Sequence, residues 1–147
     1  MNIIIGSDHA GFSTKEKLKR FLQKKNIPFE DMGTDSTKSI DYPDIAKKVA
    51  GKVAKSRTGK GLLVCGSGTG MAIAANKVKG VRAVAAYDTY TARMSRQDND
   101  TNVLCLRGRR FPLDKIEKII DIWLKTPFSN SPRHKQRIAK IKRLERT

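Results

Sequence analysis

Apolar positions along the chain fall into two rhythms that take turns. Short runs at residues 2–6, 28–32, 61–65, 81–86 and 102–106 have the length and composition of buried strands. Between them the spacing becomes helical. Leu18, Phe21 and Leu22 share one face, and so do Ile45, Ala46, Val49, Ala50 and Val53. Ile116, Ile119, Ile120, Trp123 and Leu124 follow at i, i+3, i+4, i+7 and i+8. Residues 69–77 read as a short helix and 88–97 as a polar one. Ser13 and Glu16 have capping-box spacing at the first helix. Pro43, after Tyr42, and Pro112 suit first helical positions. Beyond a break at residues 127–132, a basic segment continues to Thr147 and is expected to be a C-terminal helix. Strands alternating with helices predict a three-layer α/β/α, Rossmann-like domain with a five-stranded parallel sheet covered on both faces.

At 147 residues the chain is expected to form a single domain, residues 1–147. No apolar stretch is long enough to cross a bilayer, and the first residues lack a basic leader with a long apolar core. A cytoplasmic location is therefore expected. Cys65 and Cys105 are too few for a disulfide framework. The formal net charge is +17, which raises the question of nucleic acid. The basic residues are nevertheless dispersed, from Lys15 to Lys25, Lys47 to Lys60, Arg107 to Arg110 and Arg133 to Arg146. Aromatic residues for base stacking are only 6%. This balance disfavours nucleic acid and favours attraction of small anions.

The chemistry concentrates where the run Leu62-Leu63-Val64 ends. Cys65 is followed by Gly66-Ser67-Gly68-Thr69-Gly70, and Met71-Ala72-Ile73 resumes as a helix. Strand, glycine loop and helix start aim backbone N–H groups at one spot, where the helix dipole favours negative charge. A thiol at such a mouth has its thiolate favoured. Known glycine loops do not match. A Walker A loop needs Lys-Ser/Thr after Gly70, the dinucleotide fingerprint needs glycine at Met71, and a nucleophile elbow needs serine at Gly68. The stretch reads as an anion hole with a base or nucleophile built in.

Asp8-His9, this loop, Asp98-Asn99 and Arg109 are expected to meet at the carboxyl edge of the sheet, where open α/β sheets bind ligands. With them goes the pair Arg133 and Arg137, four apart and so on one helix face. Together these motifs resemble the type B ribose-5-phosphate isomerases, the family that includes the allose- and galactose-6-phosphate isomerases. The matching stretches are Gly6-Ser7-Asp8-His9-Ala10-Gly11, Asp41-Tyr42-Pro43, Cys65 to Gly70, Ala74-Ala75-Asn76-Lys77, Ser95 to Asn102 and Arg133-His134. They occur in family order over nearly the whole chain.

The resemblance implies an aldose–ketose isomerase of carbohydrate metabolism, in the pentose phosphate pathway. It interconverts ribose 5-phosphate and ribulose 5-phosphate through a cis-enediolate and needs neither metal nor cofactor. A hexose 6-phosphate substrate or a catalytically silent sugar-phosphate binder are the alternatives. Cys65 takes the role of the family's proton-transferring base, and the amides of Gly66, Ser67, Gly68, Thr69 and Gly70 that of the oxyanion donors. Asp8 and His9 would contact hydroxyls and ring oxygen, while Tyr42 lines the pocket or packs beside it. Arg109, Arg133 and Arg137, with His134 and Asn99 near them, match the substrate and phosphate contacts. In the family the tail arginines reach a neighbouring subunit, so a homodimer or dimer of dimers with shared sites is expected. Asp98 departs from the pattern, because many members carry there the histidine that opens the sugar ring. The ring-opening group is then Asp98 itself, Asp8, His9 or His134.

Overall fold

A computed structural model describes residues 1–146; Thr147, the end of the basic segment, lies outside them. Among the described residues are five strands: β1 (Ile3–Ser7), β2 (Phe29–Asp31), β3 (Lys60–Cys65), β4 (Ala83–Ala85) and β5 (Val103–Arg107). The helices are α1 (Phe12–Lys24), α2 (Tyr42–Lys55), α3 (Thr69–Ala75), α4 (Thr89–Asn99), α5 (Leu113–Lys125) and α6 (Pro132–Leu144). Every strand pairing is parallel, in the order β2-β1-β3-β5-β4.

Right-handed crossovers decide which face each helix covers. The two connections that move one way along the sheet, through α2 and α3, share one face. Those that move back, through α1 and α4, share the other with α5. The strand period of two divides the core accordingly. Ile3, Ile5, Leu62, Val64, Leu104 and Leu106 pack with Leu18, Leu22 and α5. Ile4, Leu63, Cys65, Val103 and Cys105 pack with α2 and with Met71 and Ala75 of α3. In α5, Ile116, Ile119, Ile120 and Trp123 are all buried, each stabilising by about 1.5–3 kcal/mol before entropy is counted. The predicted three-layer α/β/α sheet with a basic C-terminal helix is what forms.

Two local expectations are corrected. The Ser13–Glu16 capping box does not form: α1 starts at Phe12 after Gly11, whose amide donates to Asp8 Oδ1 at 2.9 Å. The strand-end carboxylate occupies the place a capping side chain would take. Lys15, expected on the basic surface, is fully buried. Its ammonium donates to both Asp31 oxygens (2.6 and 2.7 Å) and to the Thr34 carbonyl (2.6 Å). Lys60 is also half-buried, 5.4 Å over the Trp123 ring. Burial, with Arg96 nearby, lowers its ammonium to about 8. No helix among the described residues is long and apolar enough to cross a membrane.

Candidate active site

Strand order reverses between β1 and β3, and their carboxyl ends open a crevice there. A cleft of about 970 Å³ occupies it, lined by Asp8, His9, Tyr42, Cys65, the glycine loop and residues beyond β4 and β5. Cys65 ends β3 at its floor and is 4% exposed. Cys105, one strand over, is fully buried, and burial pushes its thiol far above the ordinary range, with a smaller contribution from Cys65. Cys65 is thus the thiol of the cleft.

The loop after Cys65 is held from several sides. Gly68 has φ +83°, a left-handed conformation that glycine adopts without strain. Its amide turns back and donates to Cys65 Sγ at 3.0 Å. One of the expected oxyanion donors therefore serves the sulfur. The first amides of α3 have no intrahelical acceptor, as at any helix start. From the loop after β5, the Gly108 amide donates to the Cys65 carbonyl at 2.7 Å and the Arg109 amide to that of Gly66 at 3.2 Å. The Arg109 side chain lies close over Gly66, where an added Cβ would meet its Nη1 at 3.3 Å. The Tyr42 ring lies as close to Gly70, so Tyr42 both packs on the loop and lines the cleft. Ser67 Oγ and Thr69 Oγ1 are hydrogen-bonded at 2.8 Å.

Across the cleft, the Asp8 carboxylate is anchored at Oδ1 by Gly11. His9 Nδ1 stands 3.2 Å from the Ile40 amide and 3.3 Å from its carbonyl. It can accept from the first when the ring is neutral and donate to the second when it is protonated. Three residues that the sequence reading left out also line the cleft: Tyr87, Arg107 and Arg110. Arg107 ends β5, and Tyr87 and Arg110 lie within three residues of a strand's carboxyl end, the positional signal for a ligand-facing residue. Arg107 Nε donates to the Arg109 carbonyl at 2.7 Å, which stiffens the arginine loop.

Asp98, Asn99, Arg133, His134 and Arg137 are not in this cleft. Placing Asp98 and Asn99 at the carboxyl edge is corrected by the direction of α4. That helix leaves the carboxyl edge after Asp88 and returns to the amino edge, so its last residues lie near the start of β5. There they meet α6. Asp98 Oδ1 is 3.6 Å from His134 Nε2, and Ser129 Oγ is 2.6 Å from His134 Nδ1. His134 is buried, whereas Arg133 and Arg137 are exposed on one side of α6. Asn99 borders a second cleft of about 750 Å³ with Arg82, Ile141 and Leu144. Among the described residues no group of three or more His, Cys, Asp or Glu side chains is placed to hold a metal ion.

Comparison with known proteins agrees with this geometry. Residues 3–141 match the Ribose/Galactose Isomerase family. A putative sugar phosphate isomerase of Bacillus subtilis (strain 168) is 42% identical over 142 residues, 96% of this chain and 95% of that protein. Ribose-5-phosphate isomerase B of Escherichia coli (strain K12) is 41% identical over 143 residues, 97% of this chain and 95% of its own length. The solved ribose-5-phosphate isomerase B of Clostridium thermocellum superposes with a TM-score of 0.93 at 43% identity, covering 99% of this chain and 98% of that one. A parallel sheet with its thiol and glycine loop at the switch point, and this likeness along almost the whole length, place the chain in the ribose/galactose isomerase family.

Proposed function

We propose that the chain is a single sugar-phosphate isomerase unit that interconverts ribose 5-phosphate and ribulose 5-phosphate through a cis-enediolate. The observation that carries this reading is the Cys65 thiol on the floor of a cleft walled by backbone amides and arginines. The names of the Escherichia coli and Clostridium thermocellum relatives support the pentose. Cys65 as thiolate takes the proton from C2 of the open-chain aldose. The negative charge spreads over O1 and O2, opposite the amides of Gly66, Ser67 and Gly70, where fixed dipoles need no reorganisation. Return of a proton from the sulfur to C1, with the hydroxyl proton passing from O2 to O1, gives the ketose, so a single base serves both directions.

Arg109, with Arg107 and Arg110 beside it, supplies the positive wall for the phosphate. Asp8 and His9 contact hydroxyls and ring oxygen. His9 is assigned ring opening, because an imidazole offers both a proton-donating and a proton-accepting nitrogen and this one lines the cleft. Asp98 then orders the His134 side chain. Arg133, Arg137, Asp98, Asn99 and His134 complete the cleft of a second copy, in a dimer or dimer of dimers. Their gathering on α4 and α6, away from the chain's own cleft, supports that assignment.

Turnover of a panel of pentose 5-phosphates and of allose and galactose 6-phosphates tests the reading. Ribose 5-phosphate is expected to be preferred at least about tenfold in kcat/KM, as one misplaced carbon costs on the order of 1–3 kcal/mol. Preference for a hexose phosphate would move the assignment within the family. Binding without turnover of any sugar phosphate would make the chain a binder.

A further inference from the structure

We propose that Tyr87 is a positioning residue for Cys65, acting through one peptide unit of the glycine loop. Tyr87 follows β4, and its hydroxyl donates to the Ser67 carbonyl at 2.8 Å. The amide of the next residue, Gly68, donates to Cys65 Sγ at 3.0 Å. That C=O and that N–H belong to the same peptide plane. Fixing the carbonyl therefore fixes the direction of the N–H, and the phenol aims a hydrogen bond at sulfur without touching it.

Two physical effects run through this plane. One is orientation. Gly68, at φ +83°, is a joint with wide rotational freedom, and the phenol holds the carbonyl side of that joint. The other is polarisation. A donor on the carbonyl strengthens the amide as a donor in turn, by roughly 10–30% per bond in a chain of hydrogen bonds. A hydrogen bond received by a thiolate favours the charged form over the neutral thiol. Both effects make the sulfur more available as an anion. Tyr87 is 41% exposed and lines the cleft, so removing its hydroxyl leaves the core untouched.

The catalytic consequence rests on the reading of Cys65 as the base, whereas the effect on the thiol does not. The test is therefore made on the thiol first. Full-length protein and Tyr87→Phe are alkylated with iodoacetamide from about pH 6 to about pH 10, around the ordinary cysteine range. The Cys65 adduct is followed by mass spectrometry. Buried Cys105 stays unmodified in folded protein and so reports on the integrity of the fold. The midpoint of Cys65 alkylation is expected to move up by roughly half a pH unit in Tyr87→Phe. Tyr90→Phe, an exposed phenol on α4 outside the cleft, is expected to coincide with the parent. Coincident profiles for Tyr87→Phe and the parent, or a downward move, overturn the proposal. In isomerisation the alkaline shift should appear in kcat with KM unchanged; a tyrosine that only walls the cleft would change KM and leave the titration alone. A shifted thiol with an unshifted kcat profile would uphold the role of Tyr87 and remove Cys65 as the base.

Discussion

Cys65 shares its cleft with a single carboxylate among the described lining residues, Asp8, and that one is already engaged by the Gly11 amide. Around the sulfur the backbone does most of the work, so small changes there are informative. Gly70 is the clearest case. An alanine Cβ at Gly70 would fall 2.8–3.2 Å from the Tyr42 ring atoms. Tyr42 is 40% exposed and can swing away, and alanine in a helix gains about 0.5–1 kcal/mol over glycine. Gly70→Ala is therefore expected to leave stability within about 1 kcal/mol of the parent while raising KM several-fold. Chemical denaturation beside steady-state kinetics checks this. A marked loss of stability with KM unchanged would mean that Tyr42 packs on the loop without serving the substrate.

At the scale of elements, α1 and β2 are joined by an ion pair that the hydrophobic pattern conceals. Lys15 is fully buried on the inward side of α1, and Asp31 ends β2. Burial alone would raise the Asp31 carboxyl, but hydrogen bonds from Lys15, Lys19 and the Gly33 amide outweigh it and hold it below its ordinary value. A carboxylate depressed in the folded state stabilises above its unfolded pKa, and that contribution is lost as pH falls through the folded value. Asp31→Asn leaves the buried ammonium only the Thr34 carbonyl and the more distant Glu16 carboxylate at 3.7 Å, at a cost on the order of 3 kcal/mol near neutrality. Urea unfolding at neutral pH and near pH 3 should show this gap closing on the acid side. A gap of the same size at both would contradict the pairing.

The same elements show what was legible in the sequence. Strands and helices could be placed because their apolar periods differ, and Cys65 with its glycines sits at a strand end that any reader of α/β sheets inspects. Composition hides Lys15, because it counts charges without regard to the face they occupy. The position of Asp98 and Asn99 is not legible, because motif order along the chain says nothing about which edge of the sheet a helix end reaches. No motif contains Tyr87, Arg107 and Arg110, although their position at the carboxyl ends of β4 and β5 is as telling as that of Asp8.

For the whole molecule, two sets of residues that the family motifs unite lie at opposite edges of one sheet. The proposed sharing between copies resolves this, and it can be counted. Each symmetric site would take Cys65 from one copy and Arg137 from its partner copy. Co-refolded Cys65→Ser and Arg137→Ala chains, each inactive or weak alone, should recover about one quarter of the parental activity, since half of the random dimers carry one intact site of two. No recovery in mixed dimers would show that each cleft works alone. The net charge of +17 adds a long-range attraction for sugar phosphates, a rate advantage that salt screens.

The central claim, that Cys65 moves a carbon-bound proton in this cleft, is tested most directly by nuclear magnetic resonance in deuterium oxide. Ribose 5-phosphate is converted in the presence of the parent protein or Cys65→Ser, and deuterium entering C1 of the ketose is followed with time. The account predicts incorporation of at most one solvent deuteron per turnover by the parent. With Cys65→Ser, conversion and incorporation should both fall by roughly 10²–10⁴-fold while the fold is retained. Conversion by Cys65→Ser at a rate near the parent's would contradict it.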